Sequence, residues 1–95
     1  MIQQATVFFS GHVQGVGFRQ QVYDIAKGFE CTGWVKNLSD GRVQLYLEGE
    51  SDNVRSFIDA ILDELDVFIK NSEEFLDLGT RTTHAFSISA LSLIH

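Results

Sequence analysis

Two short stretches hold the residue types from which a site for an anion could be built. The first, GHVQGVGFRQQ, runs from Gly11 to Gln21 and sets Gly11, Gly15 and Gly17 between an apolar-alternating run and a helix-like pattern, with Arg19 at its end. A glycine-rich turn that opens a helix can gather successive backbone N–H groups into a concave nest, and the unpaired N–H groups of the helix's first turn add a positive field. Arg19 would add a planar fork of donors that meets two oxygens of a phosphoryl group at once, which lysine does less well. Commoner phosphate motifs fail: no Gly-Lys-Ser/Thr follows, and Gln20 stands where a dinucleotide fingerprint would carry its third glycine. The same spacing suits a tight connection with a surface arginine equally well.

The second stretch, GWVKNLSDGRV, runs from Gly33 to Val43 and puts Asn37 at the end of a strand-like run just before Asp40-Gly41. Asparagine is a common turn former, so on its own this position reads more readily as turn chemistry than as a site.

The elements that must position these residues follow from periodicity. Residues 4 to 11 alternate, with Ala5, Val7 and Phe9 on one side, as a half-buried strand does. Phe18, Val22, Ile25, Ala26 and Phe29 fall on one helical stripe, which predicts a helix from Phe18 to about Phe29. Thr32 to Lys36 and Arg42 to Glu48 read as antiparallel strands joined through the Asp40-Gly41 turn. Val54, Phe57, Ile58, Ile61, Leu62 and Leu65 keep a strict helical spacing behind Ser51 or Asp52 as cap. Beyond it, Phe75 to Gly79 and Ala85 to Leu91 are expected strands, and residues 66 to 74 either extend the helix or form a loop. The order is β-α-β-β-α-β with a possible extra terminal strand, an α+β plan with two helices on one face of an antiparallel sheet.

Composition bounds the function classes. At 95 residues, with 44% hydrophobic and 21% charged side chains, the chain suits a single domain over residues 1–95. A domain this short buries only ~60 to 65% of its unfolded surface, so the eight phenylalanines are expected to serve the core. The formal net charge of −6 argues against a nucleic-acid partner, whose phosphates select basic faces. Any anion must therefore be recognised locally, against the overall field. One cysteine, Cys31, excludes an internal disulfide, and with no apolar window near membrane-spanning length the expected setting is the cytoplasm.

Taken together, the two stretches resemble the acylphosphatase family: GHVQGVGFR is similar to its first signature and GWVKNLSDGRV to its second, over residues 5 to 50 almost continuously. The resemblance implies a ferredoxin-like two-layer sandwich and metal-independent hydrolysis of acyl phosphates to a carboxylate and inorganic phosphate. It implies that Arg19 and the backbone of Gln14, Gly15, Val16, Gly17 and Phe18 bind phosphate, and that Asn37 orients the attacking water. It implies no cofactor, a small-molecule acyl phosphate as partner, no membrane association, and a monomer. The second half departs from the family pattern, having no proline after the second helix, and only Phe86-Ser-Ile88 is similar to the family's ending.

The remaining candidates read more simply. His12 adjoins the glycine turn but, like other strand-end histidines, suits a structural position, and His84 and His95 have no ligand-like spacing with it. Cys31 reads as a small core residue, since nothing nearby would activate its thiolate. Asp59, Asp63 and Glu64 fit a solvated helix face. Two competing functions stay open: a non-catalytic anion-binding regulatory module on the same fold, and a domain serving carbamoyl phosphate chemistry as in larger hydrogenase maturation proteins.

Overall fold

The computed structural model describes residues 2–89. β1 (Ile2–Gly11) turns through the glycine loop into α1 (Phe18–Ala26), and β2 (Thr32–Asn37) and β3 (Val43–Gly49) follow as a hairpin. α2 (Ser51–Glu64), β4 (Ile69–Gly79) and β5 (Phe86–Ile88) complete the chain order. The strands form one sheet in the order β4-β1-β3-β2-β5. The first four pair antiparallel as expected, while β5 adds a parallel edge beside β2 through Gly33↔Phe86 and Val35↔Ile88.

The alternation in β1 does what a period of two demands: Ala5, Val7 and Phe9 are fully buried. They face Val22, Ala26, Val54, Phe57, Ile58 and Ile61, the apolar stripes of α1 and α2, together with Val35, Val43, Leu45 and Leu47 from the hairpin. Phe29 stacks on Phe57 at 5.3 Å and Phe9 packs against Phe18 at 5.5 Å, so aromatic contacts tie the turn after α1 to α2 and the start of α1 to the sheet.

Several expectations need correction. α1 stops at Ala26 rather than near Phe29, because Lys27, Gly28 and Phe29 donate to carbonyls three residues back and tighten the last turn. At the start of α2, Glu50 stands in the cap position without a side-chain bond, and Ser51 and Asp52 already lie in the first turn. Residues 66–74 neither extend the helix nor loop: Asp66–Phe68 is a short 3₁₀ turn, and Ile69 begins an eleven-residue strand. That stretch has little apolar alternation of its own, so it is the ladder with β1, from Ile2↔Gly79 to Ser10↔Asn71, that makes it a strand. The expected strand Ala85 to Leu91 is seen as Phe86–Ile88, and its last two residues lie outside the described residues.

Nor do all phenylalanines serve the core. Phe8 and Phe75 meet edge to face at 6.0 Å on the helix-free side of the sheet, with Phe75 58% exposed. Trp34 and Tyr46 stack on that same side at 5.6 Å.

Candidate active site

Val13, one residue before the loop's critical turn, is buried and anchors its start. Gly15 and Gly17 take φ of +79° and +78°, and a Cβ added at either would meet no atom within 4 Å. Conformation rather than space is therefore the reason for glycine there. Gly17 is the N-cap of α1, and no side chain among the described residues caps that helix start, so the first-turn N–H groups open toward the loop. Phe18, buried beneath them, fixes the helix to the core.

Arg19 is half-buried, and its Nη1 donates to the Ser89 carbonyl at 3.4 Å. A cavity of about 240 Å³ lies beside it, lined by Gly15, Gly17, Phe18 and Arg19 from the loop and helix, Asn37 from the hairpin, and Val13, Gln20 and Ile88 as walls. Asn37 Oδ1 is buried and has no hydrogen-bond partner among the described residues. An orphaned buried acceptor costs about 1–3 kcal/mol, so its presence beside an arginine and a donor-rich loop points to a donor that arrives with a ligand.

Five of the seven residues singled out from the sequence therefore meet at one cavity. Gln14 and Val16 do not line it: Val16 packs against the core, and the Gln14 carboxamide reaches the hairpin, donating to Leu38 O at 2.8 Å and Arg42 O at 2.9 Å. His12 stays outside, its backbone N–H bonded to Phe68 O at 2.9 Å. Cys31 is buried, and burial pushes its thiol up to about 11 although Arg81 pulls it down, which leaves it protonated and inert near neutral pH.

Three contributors were not foreseen. Ile88, the last residue of β5, and the carbonyl of Ser89 just after it reach the site from some seventy positions downstream of Arg19. Glu48 is fully buried and anchors the loop before β5: Thr82 and Thr83 donate backbone N–H groups at 2.9 and 2.8 Å and hydroxyls at 2.7 and 2.6 Å, and Tyr46 donates its phenol at 2.6 Å. Burial alone would raise its carboxyl, but the bonds from Thr83, Tyr46 and Thr82 outweigh it and hold it at about 2. The alternation of β3 gave the only hint, since it puts Glu48 opposite to Leu47.

A larger groove of about 520 Å³ opens between the ends of the helices. Its lining includes Asp24 and Glu64 and no cationic side chain, so it does not suit an anion.

A two-layer sandwich whose first strand-to-helix turn is a glycine nest, ended by an arginine and faced by a hairpin asparagine, offers a donor-rich pocket of a size and chemistry suited to a small anion. The family model for acylphosphatase matches residues 5–88, and the chain belongs to the acylphosphatase family. An acylphosphatase of Methanospirillum hungatei is 47% identical over 63% of this chain, and one of Alcanivorax borkumensis is 40% identical over 82% of it. The matched stretch spans 66% of the first relative, 90% of the second, and only 54% and 52% of two other acylphosphatases, so it covers about half to two thirds of most of these relatives. The crystal structure of acylphosphatase from Bacillus subtilis superposes with a TM-score of 0.84 at 33% identity, over 92% of this chain and 98% of that one.

Proposed function

We propose that the chain hydrolyses acyl phosphates, releasing a carboxylate and inorganic phosphate. The observation that carries this reading is Asn37 Oδ1, unpaired among the described residues, on the cavity that Arg19 and the glycine nest also line. The nest and Arg19 would hold the phosphoryl oxygens, with the guanidinium fork on two of them. A water donating one O–H to Asn37 Oδ1 would aim a lone pair at phosphorus, in line with the acyl oxygen. The new P–O bond forms as the old one breaks, and the electron pair leaves on the carboxylate.

The groups fit the demands of the reaction. The leaving group is a stable carboxylate, so no strong general acid is needed, and a loose transition state asks mainly for positioning and charge stabilisation. An amide is scarcely protonated near neutral pH, so Asn37 holds the water and takes no proton. The proton goes to a phosphoryl oxygen of the substrate itself. The working unit in this reading is a monomer in the cytoplasm with no cofactor, and the substrate is a small molecule.

The test is hydrolysis of benzoyl phosphate in EDTA by the wild type and by folded Arg19→Ala and Asn37→Ala variants. Loss of one preorganised hydrogen-bonding group, the Arg19 donor or the Asn37 acceptor, is expected to cost about 10²- to 10³-fold in rate, as for an oxyanion-hole donor. Arg19→Ala is expected to weaken binding of inorganic phosphate as well, whereas Asn37→Ala is expected to lower kcat with phosphate affinity nearly kept. A wild type that binds phosphate through Arg19 but releases no benzoate would replace the enzyme with a non-catalytic anion-binding module.

A further inference from the structure

The glycine loop and the Asn37 hairpin come from different parts of the chain, yet a water held by one must attack a phosphorus held by the other. The β1–β3 ladder that joins their elements ends at Phe9↔Val43, before either functional segment begins. Beyond that pair, the hydrogen bonds that cross from loop 12–18 to the hairpin, among the described residues, are the two made by Gln14.

Their geometry is specific. Both hydrogens of Gln14 Nε2 are used, one on Leu38 O at 2.8 Å and one on Arg42 O at 2.9 Å. These same carbonyls already close the hairpin, since Gly41 N donates to Leu38 O at 3.2 Å and Leu38 N donates to Arg42 O at 2.8 Å. Gln14 thus occupies the second acceptor position of each and grips the hairpin at the residue next to Asn37. On its other side it is bonded directly to Gly15, the first residue of the nest.

We infer that Gln14 is a positioning residue: its carboxamide sets the distance between the phosphate cradle and the Asn37 amide. This inference rests on the hydrolase reading above, and it assigns the side chain of Gln14 a task separate from phosphate binding by the loop backbone. A carboxamide suits it because two diverging N–H donors on one neutral nitrogen reach two separate carbonyl oxygens. Removing the clamp leaves the hairpin its own backbone bonds, so the fold persists while the two halves of the site drift. A displacement near 1 Å at a reacting centre costs about 10²-fold in rate.

The experiment compares wild type, Gln14→Leu and Gln14→Glu, each checked by circular dichroism, in benzoyl phosphate turnover and in binding of inorganic phosphate. Gln14→Leu keeps the bulk without the donors, and its kcat is expected to fall about 10- to 100-fold with phosphate affinity within about threefold of wild type. Gln14→Glu carries a carboxylate against the two carbonyls at neutral pH but regains one O–H donor on protonation. Its activity relative to wild type is expected to climb as the pH is lowered through the carboxyl range, while that of Gln14→Leu stays flat. Equal kcat for wild type and Gln14→Leu, or a loss confined to phosphate affinity, overturns the clamp. A flat ratio for Gln14→Glu overturns it too. A wild type without turnover is distinguished from all of these, since it sinks the hydrolase reading itself.

Discussion

The Glu48 carboxylate is the most exacting test of how the second half of the chain is held. Glu48→Gln keeps the shape and removes the charge that accepts bonds from Thr82, Thr83 and Tyr46. The amide nitrogen of glutamine would face backbone N–H donors with another donor. A hydrogen bond to a charged group contributes about 1.5–3 kcal/mol and such bonds do not add, so a net loss of about 2–3 kcal/mol is expected at pH 7. With a urea slope of ~1 kcal/mol/M for a domain this small, the midpoint should fall by about 2–3 M.

The pH dependence gives the sign. The carboxyl is held at about 2 in the fold, against an ordinary value of 4.5. A depressed carboxyl binds fewer protons folded than unfolded, so its contribution is fully present above about pH 4.5 and is lost as the pH falls through about 2. The gap in urea midpoint between wild type and Glu48→Gln should therefore be widest near neutrality and shrink steadily between pH 4.5 and 2.5. A gap that stays constant over that range, or no gap at pH 7, would refute the account. The variant should also raise KM for benzoyl phosphate severalfold, because the loop that Glu48 anchors leads into β5, where Gly33 N bonds Ala85 O at 3.0 Å and Ile88 walls the cavity.

Gly17→Ala would force a side chain into φ of +78° at the N-cap of α1, at a cost of about 1–2 kcal/mol, and phosphate titration should show weakened affinity since the nest would relax away from that conformation. Arg55 joins α2 to β4 through paired bonds to Glu74 at 2.7 and 3.0 Å and also reaches Asp59, but its side chain is 45% exposed. Arg55→Ala should therefore lower stability by only about 0.5–1 kcal/mol in chemical denaturation, with a smaller difference at high salt and benzoyl phosphate turnover unchanged.

Much of the architecture was legible because local chemistry and tertiary contact agree there. The alternation of Ala5, Val7 and Phe9, the stripe from Val54 to Leu65 and the Asp40-Gly41 turn each specify an element through their own periodicity or backbone preference, and the fold uses each as expected. β4 was not legible, since Lys70, Asn71, Ser72, Glu73 and Glu74 have no strand preference that competes with a loop. Only the unsatisfied edge of β1 makes that segment extended. The bulge at Ser10/Gly11 belongs to the same contact: a Cβ on Gly11 would lie 2.6 Å from both Phe68 O and Lys70 N.

The residues of the candidate site divide in the same way. Residue types and their spacing settle which groups are available: glycines able to take positive φ before a helix, an arginine in that helix's first turn, and an asparagine at a hairpin, because spacing along the chain controls where a local turn or helix start falls. How the sheet assembles, by contrast, is what brings Arg19 and Asn37 to one cavity, leaves Asn37 Oδ1 without a partner among the described residues, lets Gln14 bridge their segments, and makes β5 the far wall. These are distances between parts of the chain joined through the sheet, and strand order and register set them, not neighbours in sequence.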